Sequence, residues 1–281
     1  MLGFFGLILL GLVQGLTEFL PVSSSAHLAI LHQILGARSV EAEVSFDVLL
    51  HLATLVAVLI YFRAYLAATA TGLMHPGASG DTGTGQPALR TVLAVVAATV
   101  ATGVVYAAFS LARLKTKEDV TDLRLIGLGL LVTGALLYSI QVALKRKRPA
   151  AQLTLLIAFG VGLGQGMALL PGISRSGATI VAGILLGLDQ AVAARFSFLV
   201  AIPAILLAMA KHAKPLMHEV TTHSAALGLG YFAAAIVAGV VGYLSIGIIF
   251  RLIRALKLHT FAYYCWALGT CTLAWALLGG R

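Results

Sequence analysis

The chain has 281 residues, of which 60% are hydrophobic and only 10% charged, against about 25% charged in a soluble domain. With a mean hydropathy of +1.00, this excludes a water-soluble globular domain and leaves an integral membrane protein with many apolar segments. The formal net charge of +9 is not a nucleic-acid footprint, because the bases sit in short clusters between apolar runs, such as Lys145 to Arg148, as loops beside anionic lipid do.

In chain order, the first region, Leu2 to Leu35, is interrupted at "EFLPVSSSAHLAI", Glu18 to Ile30. It has no basic leader and no clear cleavage site, so it reads as mature protein rather than a signal peptide. Six runs approach the roughly 20 apolar residues of a membrane helix: Phe46 to Phe62, Leu89 to Ala112, Leu123 to Leu144, Phe196 to Ala210, Ala225 to Phe250 and Phe261 to Leu278. Between the third and fourth lies Leu153 to Leu188, interrupted like the first region. In both, an apolar run meets Leu-Pro, then serines, then a short second arm, Ala26 to Leu35 or Ala178 to Leu188. Arms of about 10 residues cannot cross a bilayer, so each region reads as a re-entrant helical hairpin, stable only inside protein or beside a wet cavity. The stretches His75 to Pro87, Lys115 to Arg124 and Lys211 to His223 read as polar connections. Cys265 and Cys271 are six apart and form no metal-ligand pattern with histidine.

"QGLTEFLPVSSSAHLAI" from Gln14 matches "QGMALLPGISRSGATIV" from Gln165, and "FDVLLHLATLVAVL" from Phe46 matches "FSFLVAIPAILLAM" from Phe196. The offset of about 150 residues predicts an internal repeat, about 1–148 and about 149–281, within one membrane domain. A repeat of one hairpin and three crossings is odd, so the second copy enters inverted. The predicted fold is an all-α polytopic bundle with two re-entrant hairpins and about six spanning helices, an architecture that places a site near the midplane. Arg63, Arg90, Lys145 to Arg148, Arg195, Arg251, Arg254 and Lys257 fall on one side, the predicted cytoplasmic one.

The hairpin tips carry the chemistry. Gln14 and Glu18 are four apart and share a helix face. Ser23, Ser24 and Ser25 stand where the next short helix begins, and at least one is expected to cap it. In the second tip Ser174, Arg175 and Ser176 precede a short helix with Thr179 in its first turn. A helix N-terminus binds anions, and a guanidinium fork suits phosphate oxygens. The expected ligand is therefore phosphate, held by these serines, Thr179 and Arg175. A carboxylate inside the membrane is costly. Glu18 either pairs with Arg175 to hold the hairpins together or holds a divalent cation between itself and phosphate, with the Gln14 carbonyl as a weaker ligand. A serine of the first tip is placed to attack phosphorus, and His27 to take its proton. His51, within a membrane run, is a second histidine expected to line the cavity.

At these residues the chain resembles the undecaprenyl-diphosphate phosphatase family of the bacitracin-resistance type. "QGLTEFLPVSSSAHL" is similar to its first motif and "PGISRSGAT", Pro171 to Thr179, to its second. The resemblance implies a membrane hydrolase that removes the terminal phosphate of undecaprenyl diphosphate and so recycles the lipid carrier of cell-wall (peptidoglycan) synthesis. It implies Mg²⁺ or Ca²⁺ dependence and a site opening to the outer face of the inner membrane. Glu18, Ser24, His27, Ser174, Arg175, Ser176 and Thr179 fall on motif positions, which favours Ser24 as nucleophile. Many members carry Glu at the position of Gln14; losing that charge predicts altered metal affinity or choice. The inverted repeat alone also fits a transporter or lipid flippase, which needs phosphate binding but no nucleophile.

Overall fold

A computed structural model describes residues 3–36, 40–75, 87–114, 122–145, 150–222, 225–255 and 257–279. Among them it forms helices and no strand: α1 Phe4–Thr17, α2 Ser24–Ile34, α3 Val40–Tyr61, α4 Arg63–Met74, α5 Ala88–Leu111, α6 Leu123–Lys145, α7 Leu155–Met167, α8 Arg175–Leu185, α9 Gln190–Thr222, α10 Ala225–Arg254 and α11 Thr260–Leu277. The outward faces are apolar. Leu89, Leu93, Val96, Val100 and Val104 form an exposed stripe on α5, and Leu229, Phe232, Ile236, Val240 and Leu244 one on α10. Helices that bury one side and show continuous hydrocarbon on the other belong in lipid. This is a multi-pass, all-helical membrane protein.

Among the described residues four helices are long and apolar enough to cross a membrane: α5, and segments of α6, α9 and α10; a fifth span results if the bent pair α3 and α4 counts as one. The sequence estimate of about six also includes α11, where Tyr263, Tyr264, Trp266 and Trp275 dilute the apolar content of its 18 residues. Several boundaries differ from the sequence reading: α3 begins at Val40 rather than Phe46, and α9 at Gln190 rather than Phe196. The run expected to end at Phe62 turns there by 68° into a further helix, α4, and α9 continues to Thr222 through the stretch read as a polar connection, with Pro203 and Pro215 inside it. The bases at 146–148 and most of the connections at 76–86 and 115–121 lie outside the described residues.

The short helices come in two pairs. α1 and α2 have 14 and 11 residues, α7 and α8 13 and 11. At 1.5 Å per residue none reaches about 30 Å, so none crosses the hydrocarbon alone. Their packing is reciprocal: α1 lies on α10, and α7 lies on α5. Small residues make both contacts. A Cβ on Gly11 would sit 2.4 Å from the Ala234 carbonyl oxygen, and one on Gly162 only 2.2 Å from that of Ala98. Gly15 and Gly166, one turn on, are equally crowded. Close backbone approach replaces the hydrophobic drive that lipid does not supply. α6 packs on α11, and α3 on α9, between the two halves.

Candidate active site

The first tip begins where α1 stops at Thr17. Glu18 still donates its backbone N–H to Gln14 O, so its side chain shares the Gln14 face, as the spacing predicts. Phe19 points the other way, fully buried, edge-on to Phe198 at 5.6 Å; this anchors the turn. After Pro21 the chain enters α2 through Ser23, whose φ of 69° and ψ of 88° are left-handed, a region that costs a non-glycine residue about 1–2 kcal/mol. No serine caps α2 by its side chain. The cap expected in this tip is absent: the N-cap position is held by Ser23, whose left-handed backbone is not the extended one a capping residue takes, and whose Oγ faces that of Ser25 at 3.4 Å. Ser24 Oγ donates to Glu18 Oε2 at 2.6 Å.

The second tip is built differently. Gly172 takes φ +80°, and a Cβ there would meet the Ile126 carbonyl oxygen at 2.1 Å. Thr133 of α6 accepts from Ser174 N at 3.0 Å and lies 3.2 Å from Gly172 O. Ser174 caps α8 by accepting from Gly177 N at 3.1 Å, as sequence suggests for a serine at this position. Arg175 is the first residue of α8, where N–H groups and side chain favour an anion together.

The tips meet. Ser176 Oγ donates to Leu20 O at 3.1 Å, and Arg175 Nη2 pairs with Glu18 Oε1. Glu18 is buried and receives further hydrogen bonds from Ser24 and from Gln14 Nε2 at 3.0 Å. A buried carboxylate stays charged only with such company. The third side of Glu18 belongs to His51, whose Nε2 lies 3.5 Å from Oε2 and whose Nδ1 bonds the Asp47 carbonyl at 2.7 Å.

A cavity of about 260 Å³ opens over this cluster. Glu18, Ser23, Ser24, Ser25, Ser174, Arg175 and Ser176 line it, with Asp47 and His51 from α3 and Gln165 from α7. Its apolar lining includes Leu169 and, from α9, Ala204, Ile205, Ala208 and Met209. Three expected site residues are not among the lining residues. Thr179 is buried behind α8, 2.6 Å from Ser197 Oγ and 2.8 Å from Arg175 O. Gln14 lies behind Glu18. His27 faces α11, where Nε2 meets Tyr264 Oη at 2.7 Å, and its Nδ1 bonds Ser23 O at 2.8 Å. The histidine that meets the Glu18–Ser24 pair is His51. Asp47 was missed in the sequence; its only signal was the i, i+4 spacing to His51.

Among the described residues no three His, Cys, Asp or Glu side chains form a metal cluster. One observation nevertheless fits a hard cation: Gln14 Oε1 is buried beside Glu18 with no hydrogen-bond partner. A carboxylate plus an amide oxygen is an all-oxygen donor set of the kind that Mg²⁺ or Ca²⁺ completes with phosphates and water.

The chain is similar to known proteins over nearly its whole length. Residues 7–271 match the family model described as bacitracin resistance protein BacA. An undecaprenyl-diphosphatase of Methanobrevibacter smithii is 40% identical over 272 residues, covering 93% of this chain and 94% of that protein. Those of Desulfosudis oleivorans and Treponema denticola are each 39% identical and cover 95% and 94% of this chain, 96% and 94% of their own. With a full-length match of this kind laid over two tips that meet at Glu18 and Arg175, the chain belongs to the BacA family.

Proposed function

We propose that this protein is an undecaprenyl-diphosphatase: it hydrolyses the terminal phosphoanhydride bond of the lipid diphosphate and returns undecaprenyl phosphate to cell-wall synthesis. The observation that carries this reading is the 2.6 Å hydrogen bond from Ser24 Oγ to the buried Glu18 carboxylate, beside an arginine at a helix N-terminus. A protein that only moves the lipid needs the arginine but not a hydroxyl already paired with a base.

The steps follow from charge. The terminal phosphate draws Arg175 from Glu18, exchanging one carboxylate partner for two phosphate oxygens. Glu18 keeps Oε2 on Ser24 Oγ, placed to take its proton. Ser24 Oγ attacks phosphorus and its proton passes to Glu18; the bond to the bridging oxygen breaks and undecaprenyl phosphate leaves. Water then cleaves the phosphoserine, and Ser24 regains its proton. Arg175 and the α8 N-terminus stabilise charge that grows in the transition state. Glu18 and Gln14 Oε1 would hold a divalent cation, Mg²⁺ or Ca²⁺, which supplies Lewis-acid neutralisation of the diphosphate when bound. The cavity is smaller than the 300–1,000 Å³ that encloses a drug-sized ligand, so it takes the head group. The polyprenyl tail leaves along the apolar α9 wall into lipid.

The same reading extends to architecture. The reciprocal packing of α1 on α10 and α7 on α5 supports an inverted repeat of residues about 1–148 and 149–281, with two re-entrant pairs meeting inside an inner membrane and the site open to its outer face. The experiment is direct: purified protein in detergent, given undecaprenyl diphosphate, releases inorganic phosphate, and a chelator of divalent cations stops the release. A protein that carries the lipid across vesicles while releasing no phosphate is a flippase, and the proposal fails.

A further inference from the structure

His27 is engaged at both ring nitrogens. The partner of Nδ1 is the Ser23 carbonyl, at 2.8 Å. A carbonyl only accepts, so Nδ1 carries the proton. In the neutral ring the lone pair is then on Nε2, and Tyr264 Oη at 2.7 Å is placed to donate into it. The two ring planes lie within 4° of parallel. Nothing of the imidazole is left for a phosphate, and the proton of Ser24 already has its acceptor in Glu18.

What His27 holds is the strained residue of the tip. Ser23 is left-handed without being glycine, and its side chain caps nothing in α2. Such a residue persists only where its surroundings hold it. The second tip avoids the strain by placing Gly172 in the left-handed region, and Thr133 of α6 ties Gly172 O and Ser174 N together. In the first tip the hold comes from α11, the packing partner of α6, through consecutive residues on both flanks of Ser23. Cys265 Sγ lies 3.8 Å from Pro21 O, and Tyr264 reaches Ser23 O through His27.

We infer that Tyr264 and His27 are positioning residues, a two-link strap from α11 to the Ser23 carbonyl that keeps Ser24 Oγ against Glu18. The strap acts on geometry, so it sets turnover and leaves substrate binding to Arg175. This inference rests on the hydrolase reading for its kinetic arm and stands without it for its structural arm.

The kinetic arm compares Tyr264→Phe, His27→Asn and His27→Ala with wild type. Tyr264→Phe removes one oxygen and should lower kcat about ten-fold with KM within two-fold. An asparagine at 27 keeps an N–H near the position of Nδ1, so His27→Asn should retain at least ten-fold more turnover than His27→Ala. A histidine acting as proton acceptor is lost equally in both. The structural arm reads the His27 ¹⁵N signals, assigned by their loss in His27→Asn. Wild type should show the Nδ1–H tautomer, and Tyr264→Phe should shift Nε2. A wild type that releases no phosphate sinks the hydrolase reading while the tautomer still tests the strap. An Nε2–H tautomer in wild type, wild-type kcat in Tyr264→Phe, or equal inactivity of His27→Asn and His27→Ala overturns the strap.

Discussion

Replacing Glu18 by glutamine removes one charge and no heavy-atom volume, and the structure says what that does. Three donors converge on this carboxylate: Gln14 Nε2, Ser24 Oγ and Arg175 Nη2. An amide offers one oxygen and turns an NH2 toward a donor, so at least one contact becomes donor against donor. Arg175, its side chain only 18% exposed, loses its counter-charge. Breaking a buried pair from one side costs 3–5 kcal/mol; with the guanidinium partly open to the cavity, about 3 kcal/mol of stability should be lost. Turnover falls further. Loss of a positioned base costs 10²–10⁴-fold, or about 2.7–5.4 kcal/mol at 1.36 per decade. Phosphate release at saturating undecaprenyl diphosphate gives the rate, and thermal unfolding in the same detergent gives the stability. A variant that turns over within three-fold of wild type would falsify both the base role and the charge exchange with Arg175.

Other substitutions separate the parts. Arg175→Lys keeps the charge but not the paired donors, and should cost about 2–4 kcal/mol in kcat/KM; a few-fold loss would show that point charge suffices. His51→Ala should lower turnover at least ten-fold, because it leaves Glu18 Oε2 without its third neighbour, while His51→Gln, which keeps a polar side chain there, should recover part of it; equal rates for both variants would remove His51 from the site. Gly162→Ala should destabilise by about 1–3 kcal/mol, since its methyl meets the Ala98 carbonyl at 2.2 Å; an unchanged unfolding temperature would mean that α7 and α5 are not in close contact.

The tips were legible in the sequence for a physical reason. Charged groups inside apolar runs need partners, so Glu18 and Arg175 stood out in theirs; the sequence left an ion pair between them and a cation held by Glu18 as alternatives, and the structure pairs the two side chains. The 3.6-residue period put Gln14 beside Glu18. Within a helix, however, spacing tells which face a residue shares and not what that face meets. His27 and His51 are both histidines in apolar helices, and only packing sends the first to Tyr264 and the second to Glu18. Thr179 lies one turn past Arg175, yet its face is the one α8 buries on α9 through Ser197. The serine cap expected in the first tip occurs in the second, because Ser23 at the N-cap of α2 is left-handed whereas Ser174 at the N-cap of α8 is extended. The end of α9 was misplaced because Lys211 to His223 breaks the apolar run, and loss of hydrophobicity was read as loss of helix.

The central claim is that Ser24, paired with Glu18, attacks the terminal phosphorus that Arg175 holds. It is tested most directly by acid-quenching the purified enzyme within its first turnover on undecaprenyl diphosphate labelled with ³²P in the terminal phosphate, then mapping the label. The account predicts radioactivity on the peptide containing Ser24, none in Ser24→Ala, and a turnover in that variant reduced by orders of magnitude, with Ser23→Ala and Ser25→Ala much less affected. Substantial hydrolysis by Ser24→Ala without label on any serine would contradict it and assign the attack to water.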